Sequence, residues 1–368
     1  MKHRITKVTG IAAMAVLLWL APLNLMASGG GEKTDSAGAK EKIFEPGSFI
    51  IHHISDAYVW HILEVGELDI AIPLPIILYS ESGLDIFMFN QFEAEEGAEG
   101  PHAVKRYKDY IYSNYKITAA DGRALYDFSI TKNVLSLFIS IILILVIFLS
   151  VARSYRKREG HSPKGIQSIM EVLILFVRDE VVYPSLGKKR GDRFLPYLLT
   201  LFFFIFINNL LGLVPIFPGG ANLTGNIAIT MTLALMTFFI TLFSTNKGYW
   251  VHVVNTPGVP WWLKFPLPLM PIVEIIGIFT KPFVLMVRLF ANISAGHIIA
   301  LGFVSLIFIF GTLGNEINAV MGVAVSPVSI LFMVFMTVLE LLVAFLQAYV
   351  FTLLSALYFG MAKVEEHH

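Results

Sequence analysis

The sequence predicts an all-α polytopic membrane protein with about five membrane helices, the last two long and steeply tilted as a hairpin, plus a small N-terminal extracytoplasmic domain. Hydrophobic residues make up 56% of the 368 residues, a share typical of membrane proteins rather than soluble domains. The final two apolar stretches, residues 272–311 and 328–361, are longer than an upright membrane helix requires.

Charge and composition exclude several classes of function. Lys+Arg and Asp+Glu both number 27, and this zero net charge argues against nucleic acid as a partner. The chain contains no cysteine, so disulfides, thiolate metal sites and cysteine nucleophiles are excluded. Gly187-Lys188-Lys189 lacks the Ser or Thr of a Walker A motif. We therefore predict that the chain holds no nucleotide and no cofactor.

The first 27 residues predict a cleavable signal peptide, since three basic residues precede an apolar core at residues 11–20 and small residues follow. An uncleaved first membrane helix is the alternative. Residues 28–131 are polar and mixed, with an acidic patch at 93–99 and two strand-like runs at 68–79 and 84–89. They predict the extracytoplasmic domain. Three of its histidines could suggest a metal site, but no cysteine or carboxylate cluster supports one: His52, His53 and His61.

The membrane domain is predicted to cover residues 132–368. Its first span, residues 133–152, is followed at once by four basic residues, so this end is expected in the cytoplasm by the positive-inside rule. Residues 163–183 have the spacing of an interfacial helix. Two further spans, 194–217 and 226–244, are joined by a short Pro-Gly-Gly turn. This order places the N-terminal domain outside and the C-terminus inside.

The last two apolar stretches would form helices of about 60 Å and 50 Å, against a hydrocarbon core of about 30 Å. A tilt of about 20° does not absorb that difference, so each helix is expected to be steeply tilted or broken. Pro282 is the predicted kink in the first, residues 314–318 the turn, and Pro327 the start of the second.

Arg288 lies near the centre of an apolar stretch. A guanidinium at that depth costs roughly 2.5–3.5 kcal/mol on insertion scales, so an intramembrane Arg indicates function by default. Snorkelling to the headgroups and a structural ion pair are the alternatives. Glu274, Lys281 and Arg288 are seven residues apart and share a helix face, which Asn292 continues, whereas His297 points to the opposite face.

An antiparallel hairpin that turns near residue 315 pairs positions whose numbers sum to about 635. This arithmetic predicts a His297–Glu340 pair and an Arg288–Gln347 pair, to within about one helical turn. A static Arg288–Glu340 salt bridge is the structural alternative. A histidine beside a carboxylate suits proton relay, because imidazole changes its charge near neutral pH.

Two runs of this hairpin resemble subunit a of the rotary F-type ATP synthase: Lys281-Pro282 through Arg288-Leu289-Phe290-Ala291-Asn292, and Leu346-Gln347-Ala348-Tyr349-Val350-Phe351. The resemblance extends from about residue 130 to the C-terminus. One departure is visible. Many relatives carry a carboxylate shortly before the proline of the second span, where this chain has Leu211-Gly212-Leu213-Val214-Pro215. Asn208, Asn209 or water would then take its role.

The resemblance implies a non-catalytic stator in a bacterial inner membrane, past which a ring of carboxylate-bearing c subunits rotates. Arg288 would keep each arriving carboxylate ionised and separate two offset half-channels. The implied proton path also includes His297, Glu340, Gln347, Asn292, Asn208, Asn209 and Asn226, with Glu274 on the cytoplasmic side. The implied partners are the c ring, peripheral-stalk b subunits, the catalytic head and the lipid bilayer.

Two other classes of function are alternatives. A proton-coupled secondary transporter would use similar buried charges, but such folds usually show internal repeats, and the sequence has no self-similar halves. A receptor or assembly factor would leave the Arg288 pattern unexplained. Whether the coupling ion is H⁺ or Na⁺ stays open, because the resemblance places the ion-binding carboxylate in the ring subunit.

Overall fold

The computed structural model describes residues 46–65, 68–94, 104–113, 115–214, 217–254, 269–311 and 319–362. The predicted signal peptide and the turn at 314–318 lie outside the described residues, as does most of the acidic patch at 93–99. The side chains of His52, His53 and His61 are also outside them.

The described part of the N-terminal region begins with a short helix and continues with strands, and the strand-like runs at 68–79 and 84–89 are indeed strands. The strands form three antiparallel sheets, ordered β1-β2, β4-β3-β9 and β5-β6-β7-β8. The elements are α1 Pro46–Ile54, β1 Val59–Val65, β2 Leu68–Pro73, β3 Pro75–Ser80, β4 Gly83–Met88, a 3-10 turn Phe89–Gln91, β5 Glu93–Ala94, β6 Lys105–Tyr107, β7 Tyr110–Ser113, β8 Lys116–Ala119 and β9 Tyr126–Asp127.

Aromatic side chains dominate the core of this β region. Tyr58, Phe87 and Tyr112 are buried together in one apolar cluster. The Tyr58 hydroxyl donates a hydrogen bond to Asp127, so a carboxylate satisfies the buried phenol. Burial also raises the pKa of Tyr112 to about 12, because the charged phenolate is disfavoured away from water. The phenols in this core therefore stay neutral over the physiological range.

The remaining elements are helical. Four helices are long and apolar enough to cross a membrane among the described residues, while α6, at 17 residues, is shorter. At 1.5 Å per residue α6 is about 25 Å long. The helices are α2 Lys132–Lys157, α3 Ile166–Phe176, a π-helical turn Val177–Val182, α4 Tyr183–Leu186, α5 Lys188–Leu213, α6 Ile227–Phe243, α7 Lys247–Val254, α8 Leu269–Gly311 and α9 Ala319–Met361.

The two last helices each contain 43 residues, which corresponds to about 65 Å. Helix α8 continues through Pro282, so the break considered there is not observed. The predicted start of α9 at Pro327 is wrong, because the helix already begins at Ala319. A Cβ atom on Gly322 would lie 3.2 Å from the Cα of Gly311, so the two backbones nearly touch there. This packing holds the first turns of α9 despite the proline.

Helix α9 packs against α8 along one side and against α5 on another, and α6 packs against α8. The largest buried side chains of this bundle include Phe202, Phe203 and Phe359. Small residues of α9, such as Ala344 and Ala348, are fully buried. Because they occupy little space, they let α5 approach closely, and this brings the asparagines of α5 next to the backbone of α9.

The β region is joined to the helices by Asp56. Its carboxylate accepts hydrogen bonds from the Thr131 hydroxyl (2.8 Å) and the Asn133 backbone N–H (3.0 Å), and it therefore caps the N-terminus of α2. The ring of Trp60 also contacts the ring of Phe217 edge to face, with 5.1 Å between centroids. These contacts fix the β region against the segment between α5 and α6.

We expect Asp56→Ala to lower the free energy of unfolding by about 2 kcal/mol, because two donors at the start of α2 lose their charged acceptor. Thermal unfolding of the purified protein in detergent would measure this loss. The control is Asp121→Ala, which removes a half-exposed ion pair with Arg123 (3.6 Å). Exposed pairs contribute about 0–1 kcal/mol, so equal losses for the two variants would contradict the capping role.

Candidate functional site

A largely buried histidine and a largely buried carboxylate meet where α8 packs on α9. The Nδ1 atom of His297 lies 3.4 Å from the Oε1 atom of Glu340, and the side chains are only 17% and 12% exposed. The predicted His297–Glu340 contact is therefore confirmed. An imidazole and a carboxylate at this distance can exchange a proton directly or through one water molecule.

Two glycines make room for this pair. A Cβ atom added to Gly296 would lie 2.5 Å from Oε1 of Glu340, so only glycine allows the carboxylate its position beside the helix. A Cβ atom on Gly212 of α5 would lie 3.4 Å from Nε2 of His297. Gly212 thus faces the histidine. Sequence reasoning did not identify Gly296, although a glycine directly before an intramembrane histidine was a visible signal.

Asn209 connects three segments near this pair. Its side-chain amide donates to the carbonyl of Ala344 in α9 (3.2 Å), one helical turn beyond Glu340. Its side-chain oxygen accepts from the Thr224 hydroxyl (2.6 Å). Thr224 lies between α5 and α6 and was missed by the sequence analysis, since a threonine in a loop carries no distinctive signal. The neighbouring Asn208 is buried, and its side-chain oxygen has no hydrogen-bond partner among the described residues.

Asn226 has a structural role at the same end of the bundle. Its side-chain oxygen accepts from the Ala228 backbone N–H (2.9 Å) and caps α6. The Ser294 hydroxyl of α8 donates to the Gly225 carbonyl (3.3 Å), so this loop approaches α8 one turn before His297. The structure therefore gathers five of the predicted site residues where the end of α5 and the start of α6 meet the middle of α8 and α9: His297, Glu340, Asn208, Asn209 and Asn226.

Arg288 lies on a different side of α8. Its side chain and that of Asn292 are exposed. Gln347 is buried, and no hydrogen bond joins it to Arg288 within the described residues, so the predicted Arg288–Gln347 pair is not observed. A guanidinium at membrane depth is stable only with a counter-charge or water. Its exposed side chain leaves this cation accessible from outside the chain.

A second polar region surrounds a small cavity of about 30 Å³ between α6, α8 and α9, enough for one water molecule. The ammonium of Lys281 lies 5.7 Å from the centre of the Tyr358 ring at its wall. Glu274, two turns before Lys281, acts electrostatically on Tyr249 at the same cavity: burial raises the pKa of this tyrosine and the carboxylate raises it further. Glu274 is therefore separated from the His297–Glu340 pair.

Sequence comparisons identify relatives of both regions. The family model described as ATP synthase A chain matches residues 134–360, and a model for a domain of unknown function matches residues 49–136. ATP synthase subunit a of Chloroherpeton thalassium is 43% identical over 250 residues, covering 66% of this chain and 69% of that protein.

Two further relatives are also named as ATP synthase subunits a. ATP synthase subunit a 2 of Chlorobaculum tepidum is 47% identical over 243 residues, or 64% of each chain. ATP synthase subunit a of Myxococcus xanthus is 43% identical over 248 residues, covering 66% of this chain and 75% of the relative. The similarity thus includes the helices that carry the site.

Two of the glycines of α8, Gly296 and Gly302, give a matched test of the site's packing. Gly302→Ala should raise the thermal unfolding temperature, because alanine is favoured over glycine in helices by about 0.5–1 kcal/mol and nothing lies within 4 Å of the new Cβ atom. Gly296→Ala should not show this gain, since its Cβ atom displaces the Glu340 carboxylate. Equal stabilisation by both substitutions would show that Glu340 does not occupy the space beside Gly296.

Proposed function

The chain belongs to the ATP synthase A chain family, and on this premise we propose that it is the proton-conducting stator subunit of an F-type ATP synthase. Protons would pass through two offset half-channels to and from a ring of carboxylate-bearing subunits. The observation that carries this proposal is the division of α8: an exposed Arg288 on one side, and a buried His297–Glu340 contact on the other.

His297 and Glu340 would form the inner end of the outer half-channel. Both groups titrate, they are within direct or one-water reach of each other, and they lie beside a group of buried amides. Neutral amides and hydroxyls such as Asn209 and Thr224 can hold water without adding a net charge. The unpaired side-chain oxygen of Asn208 is the kind of acceptor that a channel water would satisfy.

The cavity beside Lys281 would belong to the cytoplasmic half-channel. Its wall combines threonine hydroxyls of α6 with Lys281 and Tyr358, and Glu274 lies two turns further along α8. Lys281 and His297 are 16 positions apart in one helix, which corresponds to about 24 Å. Two polar regions separated by this distance fit two half-channels that do not meet within the chain.

Arg288 would act between the two regions as an electrostatic barrier and as the counter-ion of each ring carboxylate. In a medium of low dielectric constant, a fixed cation strongly repels a proton and strongly favours an ionised carboxylate. Because Arg288 is exposed on the side opposite to His297, the ring would approach that side. The ring carboxylate would then release its proton as it passes.

The remaining partners and the orientation belong to the same proposal. The basic residues at the end of α2 and the start of α5 support a cytoplasmic position for those ends, so the β region would lie outside and the C-terminus inside. Peripheral-stalk b subunits and the catalytic head would bind from the cytoplasmic side. The chain itself would conduct protons and carry out no nucleotide chemistry.

We expect Arg288→Ala to abolish ATP-driven proton pumping in inverted membrane vesicles, since no barrier or counter-ion remains. Arg288→Lys should rescue poorly, because it keeps the charge but loses the planar, bidentate geometry of the guanidinium. The matched control is Arg156→Ala, which removes an exposed cation at the end of α2 and should leave pumping intact. Near-normal pumping by Arg288→Ala would refute the proposal.

The second test exchanges the residues of the buried pair. His297→Glu and Glu340→His should each reduce proton flux severely, because the first places two carboxylates together and the second two imidazoles. The double exchange should recover a substantial part of the flux. Neighbouring residues typically show couplings of about 0.5–3 kcal/mol in such a cycle. Strictly additive losses in fully assembled complexes would mean that the two residues act independently.

A further inference from the structure

The three-stranded sheet β4-β3-β9 has an outward face made only of apolar and aromatic side chains. The strand register places Leu84 beside Tyr79 and Ile86 beside Ile77, and Tyr126 on the other side of Tyr79. Main-chain hydrogen bonds extend this alignment beyond β9 through residues 128 and 130. Nine positions form the face: Met88, Pro75, Ile130, Ile86, Ile77, Phe128, Leu84, Tyr79 and Tyr126.

The opposite face of the same sheet is already the core of the β region. Ile76, Leu78 and Phe87 alternate with the outward residues and are buried. The acidic residues of these strands point to that inner side, where Asp85 accepts a hydrogen bond from Tyr110 (2.5 Å) and Asp127 accepts one from Tyr58. Polar groups are therefore directed into the core, while the outward face carries no charge.

The outward face has no cover among the described residues. Ile86 is 64% exposed and Phe128 66% exposed. Antiparallel sheets with one face in water normally alternate apolar and polar residues, and a contiguous exposed apolar patch marks an interaction surface. A sheet that is apolar on both faces requires a second apolar surface against it.

The position of the face in the chain indicates what that surface is. Its nearest residue, Ile130, lies two positions before α2, which is long and apolar enough to cross the membrane. The row of Tyr79, Leu84 and Tyr126 lies four residues further along the strands, or about 13 Å. On α2 itself, Phe138 in the second turn is already exposed. The uncovered apolar surfaces of sheet and helix thus begin at the same point.

We propose that this sheet face lies on the adjacent leaflet of the lipid bilayer and holds the β region flat against the membrane surface. A tether of three residues between Phe128 and the start of α2 at Lys132 keeps the face within reach of the headgroup layer. Tyrosine and phenylalanine are suited to this zone, where rings contact acyl chains and hydroxyls remain hydrated. The aligned rings of Tyr79 and Tyr126, 6.5 Å apart, form the outer row of the contact.

The cysteine-free chain allows a direct test in the assembled complex, reconstituted into phosphatidylcholine vesicles. Single substitutions Ile86→Cys and Leu84→Cys on the face would carry a nitroxide label, with Thr118→Cys on the exposed side of β8 as control. Accessibility to oxygen, which concentrates in lipid, and to a water-soluble nickel chelate would be measured by electron paramagnetic resonance. We expect oxygen to dominate at positions 84 and 86, and the nickel chelate at position 118.

Two outcomes would overturn the proposal. Access of the nickel chelate to positions 84 and 86 equal to that at position 118 would show that the face is in water. Protection of both positions from oxygen and nickel alike would show that protein covers the face, either another subunit or a further segment of this chain. Proton flux is not needed for this readout, so the proposal stands or fails separately from the proposed conduction.

Discussion

The antiparallel register of α8 and α9 is the constraint on which the rest of the site depends. The two backbones lie close together at Gly311 and Gly322, and roughly 21 Å further along α8 the same register brings together His297 and Glu340. Since both helices rise about 1.5 Å per residue, a register fixed at the turn persists along the whole pair. A bulkier residue at Gly322 would press on the backbone of α8, separate the helices and part the histidine from its carboxylate.

The persistence of this register along the hairpin explains which contacts the sequence could predict. Two residues whose numbers sum to about 635 lie at the same height along the axis of the hairpin. His297 and Glu340 lie at the same height, and their side chains also face each other. Arg288 and Gln347 are also at one level, yet Arg288 is exposed and Gln347 buried. The height of a residue along the hairpin axis follows from its residue number. The direction in which its side chain lies around that axis depends on which other helices pack against each side. Gln347 is buried by packing against other parts of the protein, which its spacing in the sequence does not predict.

Other features depended on tertiary contacts in the same way. Helix α9 begins before Pro327, and its first turns pack closely on α8 at Gly311 and Gly322. Strand β9 has only two residues and exists because it pairs with β3. The role of Gly212 is visible only once α5 lies against His297. The apolar spans were predictable from composition alone, because a bilayer imposes a minimum length on every helix that crosses it.

The shortness of α6 has a consequence for the lipid around it. Its 17 residues span about 25 Å, some 5 Å less than the hydrocarbon core. Hydrophobic mismatch of this size is relieved by thinning of the adjacent bilayer, so headgroups and water descend toward the first turn of α6, where Asn226 caps the helix. The dielectric boundary is then drawn inward beside the buried amides, and for the proposed conduction route this shortens the dry distance between water and His297 on that side of the protein.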